Sequence, residues 1–150
     1  MRNKHTSMTR RQQAGTSLLE VLIAVLILAI GLLGIAALQS LTLKNTQSSS
    51  ERTAAIIQSY AMLDMMRANR AEAIARRYDT GWLCEAPENP ATRVAGDTAR
   101  WITQLQQAVG ASACGQIDCG AVNCNIGVRW NDERGTGGDA TQEIITQTRL

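Results

Sequence analysis

Phenylalanine is absent from this chain of 150 residues, and aromatic residues of all kinds come to 3%. There are two prolines, Pro87 and Pro90, and a single histidine, His5. Each scarcity excludes something. With its histidine in the first few residues, the body of the chain cannot build a histidine triad or a histidine general base. A core with no phenylalanine and few other rings is thin, and a small thin-cored domain is the kind that benefits most from cross-links. With no proline before Pro87, nothing in the first half of the chain blocks a helix. A strong charge of one sign is also missing. The formal net charge is +2. Arg2, Lys4, Arg10 and Arg11 put four bases and no acid in the first fifteen residues, which leaves 11 bases against 13 acids in the remainder. That remainder is not a phosphate-neutralising surface, so nucleic-acid binding is not expected from charge.

What the chain does have is an unbroken apolar run, Val21–Leu38, prolonged by Leu41 and Leu43. About 20 apolar residues at 1.5 Å rise span a hydrocarbon core. The basic residues before the run place its amino terminus in the cytoplasm by the positive-inside rule. All four cysteines (Cys84, Cys114, Cys119 and Cys124) then fall on the opposite, disulfide-permissive side. At the entrance to the run stands one carboxylate, in Gly15-Thr16-Ser17-Leu18-Leu19-Glu20, and no other charge follows until Lys44. Inserting an acidic side chain at the bilayer centre costs about 2.5–3.5 kcal/mol, so such a residue normally has a function and a partner. A cleaved secretory signal would have an apolar region of about 7–15 residues and a small-residue cleavage site. This run is longer, and Gly34-Ile35-Ala36-Ala37-Leu38 is a weak site. A plain uncleaved signal anchor is the blander competitor.

Glycine directly before a scissile bond has no side chain to obstruct a peptidase working at the membrane surface, and it extends easily. Cleavage between Gly15 and Thr16 would leave a new amine on Thr16 at the start of a helix, where the dipole disfavours positive charge. Glu20, one turn in, offsets part of that. Between copies, the amine of an incoming subunit could pair with Glu20 of a neighbour. Two costly charges would become one neutralised pair that sets register as much as stability. This arrangement resembles the leader of the type IV pilins and pseudopilins. The resemblance implies a prepilin peptidase that cuts between Gly15 and Thr16 and N-methylates the new terminus. It also implies Glu20 as the assembly residue. The chain departs from the common pattern in having Thr16 where most members have phenylalanine.

The chain reads as a basic leader (1–15), a transmembrane or filament-core helix half (16–43), a soluble helix half (44–77) and a small head (78–150). Lys44–Arg52 is polar, and Ser48-Ser49-Ser50 is its weakest helical stretch. Beyond it, Ile56, Tyr60 and Leu63, flanked by Ile57, Ala61 and Met65, form the stripe expected to carry the head. Met62, Met65 and Met66 read as core filler rather than as metal ligands. Glu85–Pro90 is a loop. Asp97 is a candidate N-cap for a second helix, Thr98–Val109, with Trp101 and Leu105 inward and Gly110 ending it. Cys124, Ile126, Val128 and Trp130 alternate with polar residues as a half-buried strand does. Asp132–Thr141 reads as a flexible connection, and Gln142–Leu150 as a second strand pairing back. The fold class is therefore α+β: a long N-terminal helix carrying a small head with a second helix and a short antiparallel sheet.

The cysteines read as two disulfides, each contributing about 2–4 kcal/mol. Four cysteines allow three pairings, and all three stay open. Cys84 ties the exit of the long helix to the carboxy-terminal half. A zinc site is disfavoured by the lack of a C-x-x-C pair. Gly135, Gly137 and Gly138 lack the Lys-Ser/Thr that completes a P-loop. Asp118, Asp132 and Asp139 read as solvated loop carboxylates that could hold calcium only if folded together. No catalytic residue, metal or cofactor is expected, and the chain does not read as an enzyme.

In the head, Tyr78 shortly before Cys84, then Asp97-Thr-Ala-Arg-Trp101-Ile-Thr-Gln-Leu105, then Val128-Arg-Trp130-Asn-Asp132, resemble the minor pilins called type IV pilus modification proteins (PilV type). The family usually has Leu-Pro-Gly after the second helix, whereas this chain has Ala108-Val-Gly110 and an additional cysteine cluster. The resemblance implies an inner-membrane subunit with a periplasmic head that later joins the pilus fibre. Its partners would be prepilin peptidase, membrane lipid before assembly, and other major and minor pilins. It would act in a priming or tip complex and so support twitching motility and adhesion. A minor pseudopilin of a type II secretion system shares leader and helix, and gene neighbourhood separates the two. A tip module binding a surface or DNA would need Arg129, Arg134 and Arg149 gathered in one patch.

Overall fold

The computed structural model of the chain describes Gly15, residues 17–120 and residues 122–149. The basic residues Arg2, Lys4, Arg10 and Arg11, together with His5, Thr16 and Leu150, lie outside the described residues. The elements are α1 (Leu18–Ala68), α2 (Arg70–Ile74), β1 (Thr80–Leu83), α3 (Arg93–Val109), β2 (Cys114–Cys119), β3 (Asn123–Trp130) and β4 (Gln142–Arg149). The strands form one antiparallel sheet in the order β1-β2-β3-β4. A long apolar N-terminal helix followed by a helix-and-sheet head is an α+β, pilin-like arrangement. The chain divides into two compact units, residues 1–39 and 40–150.

In the first unit α1 begins where the Ser17 carbonyl accepts from the amides of Glu20 (3.0 Å) and Val21 (3.2 Å). Every large apolar side chain from Leu18 to Leu38 is exposed. A helix apolar all round has no face to turn inward, so this stretch builds no core of its own.

The second unit has its core where α1 and α3 cover one face of the sheet. Met62, Leu63, Met66, Tyr78, Trp101, Ile102, Leu105, Ile117, Ile126 and Val128 are within 1% of full burial. The face that α1 turns inward is Glu51, Ala55, Ser59, Met62, Leu63 and Met66. Ile56, Ile57 and Tyr60 of the expected stripe are 41%, 59% and 51% exposed and face away. The helix docks on small residues instead. Ala55 and Ser59 allow a close approach, and beside them the Trp101 indole Nε1 donates to the Gln58 carbonyl at 3.0 Å. Trp101 packs on β2, where a Cβ on Gly115 would strike its ring. Gly115 is thus a packing requirement.

Helical structure ends earlier than the expected Arg77. Asn69 leaves helical dihedrals, with φ −131° and ψ 47°, and α2 follows. The Arg77 amide then reaches back to the Glu72 carbonyl (2.9 Å) and the Arg76 amide to Ala73 (3.0 Å). These are the two bonds of a Schellman cap, with Arg76 at φ 59° where glycine is usual. The second helix starts at Arg93 rather than Thr98. Its cap is Thr92, whose side chain accepts from the Ala95 amide at 3.1 Å. Asp97 instead turns inward, and its Oδ2 accepts from the Tyr78 hydroxyl at 2.8 Å. The low helix propensity of Gly96 is what made this first turn read as loop. The sheet has four strands rather than the two read from sequence, because β1 and β2 are short and interrupted by Gly81 and Gly115.

Candidate functional site

The candidate site is the entry to α1. Gly15 is exposed, with nothing within 4 Å of where a Cβ would stand, so its surroundings offer no obstacle to a peptidase. Its partner in the expected cleavage, Thr16, lies outside the described residues. Glu20 occupies the first turn of α1, where the helix dipole favours a negative charge. Its side chain is exposed, and the residues that follow are apolar from Val21 to Leu38 and uncharged up to Lys44. Among the described residues α1 is the one helix long and apolar enough to cross a membrane, with a mean hydropathy of 3.1 over its most apolar window.

A family model described as the prokaryotic N-terminal methylation motif matches residues 10–36. This match supports a type IV pilin-like protein. The match spans Gly15, Thr16, Glu20 and most of the apolar run. No curated protein and no solved structure matches the chain.

In the head of this pilin-like chain the cysteines pair as Cys84–Cys114 and Cys119–Cys124. The first bridge joins the exit of β1 to the start of β2. The second links directly opposed residues of the β2–β3 hairpin. Cys119 and Cys124 are buried in the core face, whereas Cys84 is exposed. In the chain-entropy account their separations of 30 and 5 residues correspond to about 3.5 and about 2 kcal/mol respectively.

The stretch expected to be a flexible connection is fastened at its base. Asp132 is 2% exposed rather than solvated. Its Oδ2 accepts from the Ser48 hydroxyl at 2.6 Å and lies 3.8 Å from the Arg52 guanidinium. The Asp132 amide donates to the Asp139 carbonyl (2.9 Å), and the Asp132 carbonyl accepts from the Gly135 amide (2.9 Å). A Cβ on Gly138 would strike that carbonyl, so glycine is required there. Asp118, on β2, and Asp139, at the far end of the same loop, have exposed side chains, and the described residues contain no cluster able to hold a metal. The weak helical stretch around Ser48 therefore has a tertiary role, which the sequence signalled only through a serine opposite a buried acid.

A cleft of about 490 Å³ lies between this loop and α1, lined in part by Lys44, Glu51, Asp132 and Arg134. Two of its acids are already engaged, Glu51 with Arg134 at 3.5 Å and Asp132 with Ser48 and Arg52. The arrangement braces the loop. The three arginines that a surface- or DNA-binding module would gather do not meet. Arg129 stacks on Trp82, 4.5 Å from the ring centroid. Arg149 lies opposite Asn123, six register positions along the β3–β4 ladder, or about 20 Å at strand rise.

Two further groups are shifted by their surroundings. Tyr78 is fully buried, receives a hydrogen bond from Asn69 and donates one to Asp97. Burial pushes its hydroxyl above the ordinary tyrosine value, and the bond to Asp97 adds to the rise. Arg76 is raised by its hydrogen bond to Asp79 and stays charged throughout.

Proposed function

We propose that this chain is a minor pilin subunit of a type IV pilus. Prepilin peptidase removes residues 1–15 at Gly15, N-methylates Thr16, and releases a subunit whose amine pairs with Glu20 of a neighbour. Residues 16–43 are held in the inner membrane with the amino terminus cytoplasmic, and later in the filament core. Residues 44–77 carry the periplasmic head, 78–150. The subunit joins other pilins in the complex that primes assembly, and through it supports twitching motility and adhesion. Its role is structural.

The observation that carries this reading is the coincidence of the methylation motif over residues 10–36 with a helical stretch, residues 18–38, whose large apolar side chains are all exposed. Such a surface must be covered by lipid or by other subunits. The disulfide-linked head is consistent with export to an oxidising compartment.

Mass spectrometry of the amino terminus, on protein recovered from sheared surface filaments, tests it. The expected species begins at Thr16 and carries one methyl group. A species beginning at Met1, or a chain abundant in the inner membrane and absent from filaments, would overturn the assignment.

A further inference from the structure

β4 is the last strand of the sheet, and its outer edge is bare. It pairs with β3 without a break from Gln142 to Arg149. Among the described residues no other backbone hydrogen bond engages it. Proteins blunt such edges with proline, bulges, lysines or inward-pointing charges, because a free row of amides and carbonyls templates pairing with another chain. β4 has none of these devices. Its register with β3 is unbroken, it has no proline or lysine, and both of its charges, Glu143 and Arg149, are on the exposed face. Ile145, between them on the same face, is 62% exposed. Across the sheet it lies level with Gly127 and Gln116, in the row beside Trp82.

We infer that the β4 edge is an interface for a second copy of this chain, paired antiparallel about Thr146. The charge pattern selects the occupant. Antiparallel pairing of β4 with itself, centred on Thr146, sets Glu143 opposite Arg149 of the second copy and Arg149 opposite its Glu143. It also sets Ile145 opposite Gln147 and Ile144 opposite Thr148. Each residue then meets one of its own parity, so outward side chains meet outward ones, and the outward-pointing amides and carbonyls meet each other. A slip of one residue would turn every side chain of one copy to the wrong face. A slip of two in either direction preserves the faces but leaves all four charges without an opposite partner on the other copy, Glu143 then facing only Arg129 of its own chain. The strand is complementary to itself in one register, as a two-fold interface requires. This inference rests on the head alone and does not depend on the filament role.

The test uses full-length chain in detergent. One preparation carries Ile145→Cys with one affinity tag, and a second carries Gln147→Cys with another. The two are mixed and mildly oxidised. Peptide mapping of the Cys84–Cys114 and Cys119–Cys124 bridges establishes that each variant has folded. The expected product is the mixed-tag dimer, exceeding either same-tag dimer at least about tenfold, because only directly opposed residues satisfy disulfide geometry. Adding Glu143→Arg to both preparations should lower that yield about tenfold, and Glu143→Arg with Arg149→Glu should restore it. Sedimentation of the unsubstituted chain gives a second reading, a dimer that Glu143→Arg dissociates. Same-tag dimers of Ile145→Cys or Gln147→Cys would show a different register and overturn the inference. So would a yield indifferent to the charge changes. The absence of any cross-link between copies would leave the edge to a strand from another polypeptide and end the assignment.

Discussion

Residues 18–38 and the head both contain leucine, isoleucine, valine and alanine, densely in the first and sparsely in the second, and they use them in opposite ways. In the first, every large apolar side chain is exposed. In the second, apolar residues recur at helical and strand spacing, and one side of each element is buried against the others. Apolar content alone is thus a poor guide to burial. Periodicity decides. A run without period makes a surface that another phase or another subunit must cover, and a run with period makes its own interior. The mid-part of α1 joins the two regimes and shows the rule at its finest grain. Ala55 and Ser59 are buried while Ile56, Ile57 and Tyr60 are exposed.

The sharpest way to break the contrast is at Glu20. On the proposed reading Glu20→Ala should cut incorporation into surface filaments more than tenfold, and it should leave the thermal unfolding of the head unchanged. Quantitative blotting of sheared filaments beside a calorimetric scan measures both. Normal incorporation would remove Glu20 from the assembly role.

Next in size are the bridges. Replacing Cys84 and Cys114 by serine should destabilise the head by about 3.5 kcal/mol, and replacing Cys119 and Cys124 by about 2 kcal/mol. In both variants the helicity of residues 18–38 should persist, which separates the two regimes by circular dichroism in denaturant. Limited reductant should open Cys84–Cys114 first, because Cys84 is exposed whereas Cys119 and Cys124 are buried. Mass mapping of alkylated peptides reads the order.

Gly115→Ala should cost about 3 kcal/mol by driving a methyl group into the Trp101 ring, which is itself fully buried and has no room to yield. Gly81→Ala, with open space at its Cβ position, serves as the control. Equal denaturation midpoints for the two would contradict the packing described for α3 on β2.

The smallest effect sits at Tyr78. Its proton is held more tightly in the folded head than in the unfolded chain. The stability it contributes is therefore complete below the ordinary tyrosine value and declines as pH rises beyond it, since the unfolded chain ionises first. Tyr78→Phe should cost about 1 kcal/mol at neutral pH and flatten the loss of stability above about pH 10. Urea midpoints from pH 7 to 11 test this.

The long helix, the second helix, the strands β3 and β4 and the disulfide character of the head were legible because each rests on periodicity, composition or cysteine count. Gly15 and Glu20 stand out in the sequence as a glycine and, a few residues later, a lone acid at the edge of an apolar run. What was not legible depends on tertiary partners. Asp97 has the side chain of a good cap, but it is drawn inward by Tyr78, so the capping role falls to Thr92. Asp132 sits in a glycine-rich polar stretch that resembles a solvated turn, and only Ser48, 84 residues earlier, shows that it is buried. β2 was obscured by Gly115, whose missing side chain is the reason Trp101 can lie there. The pairing of the four cysteines needed the β2–β3 register, which places Cys119 opposite Cys124.

The clamp at the base of the Asp132–Asp139 loop has a practical consequence. Because the Asp132 amide bonds to the Asp139 carbonyl and the Gly135 amide returns to Asp132, the ends of the loop are fixed independently of its tip. At that tip Thr136 and Gly137 are exposed, and a Cβ on Gly137 would have open space around it. Extra residues placed between Thr136 and Gly137 would open the turn that the Gly138 amide closes on the Gly135 carbonyl (3.2 Å) and leave in place the Asp132–Asp139 bond that anchors β3 and β4. That position is the natural point to insert a short peptide for fluorescent labelling, so that single subunits can be followed in living cells with the core and both bridges undisturbed.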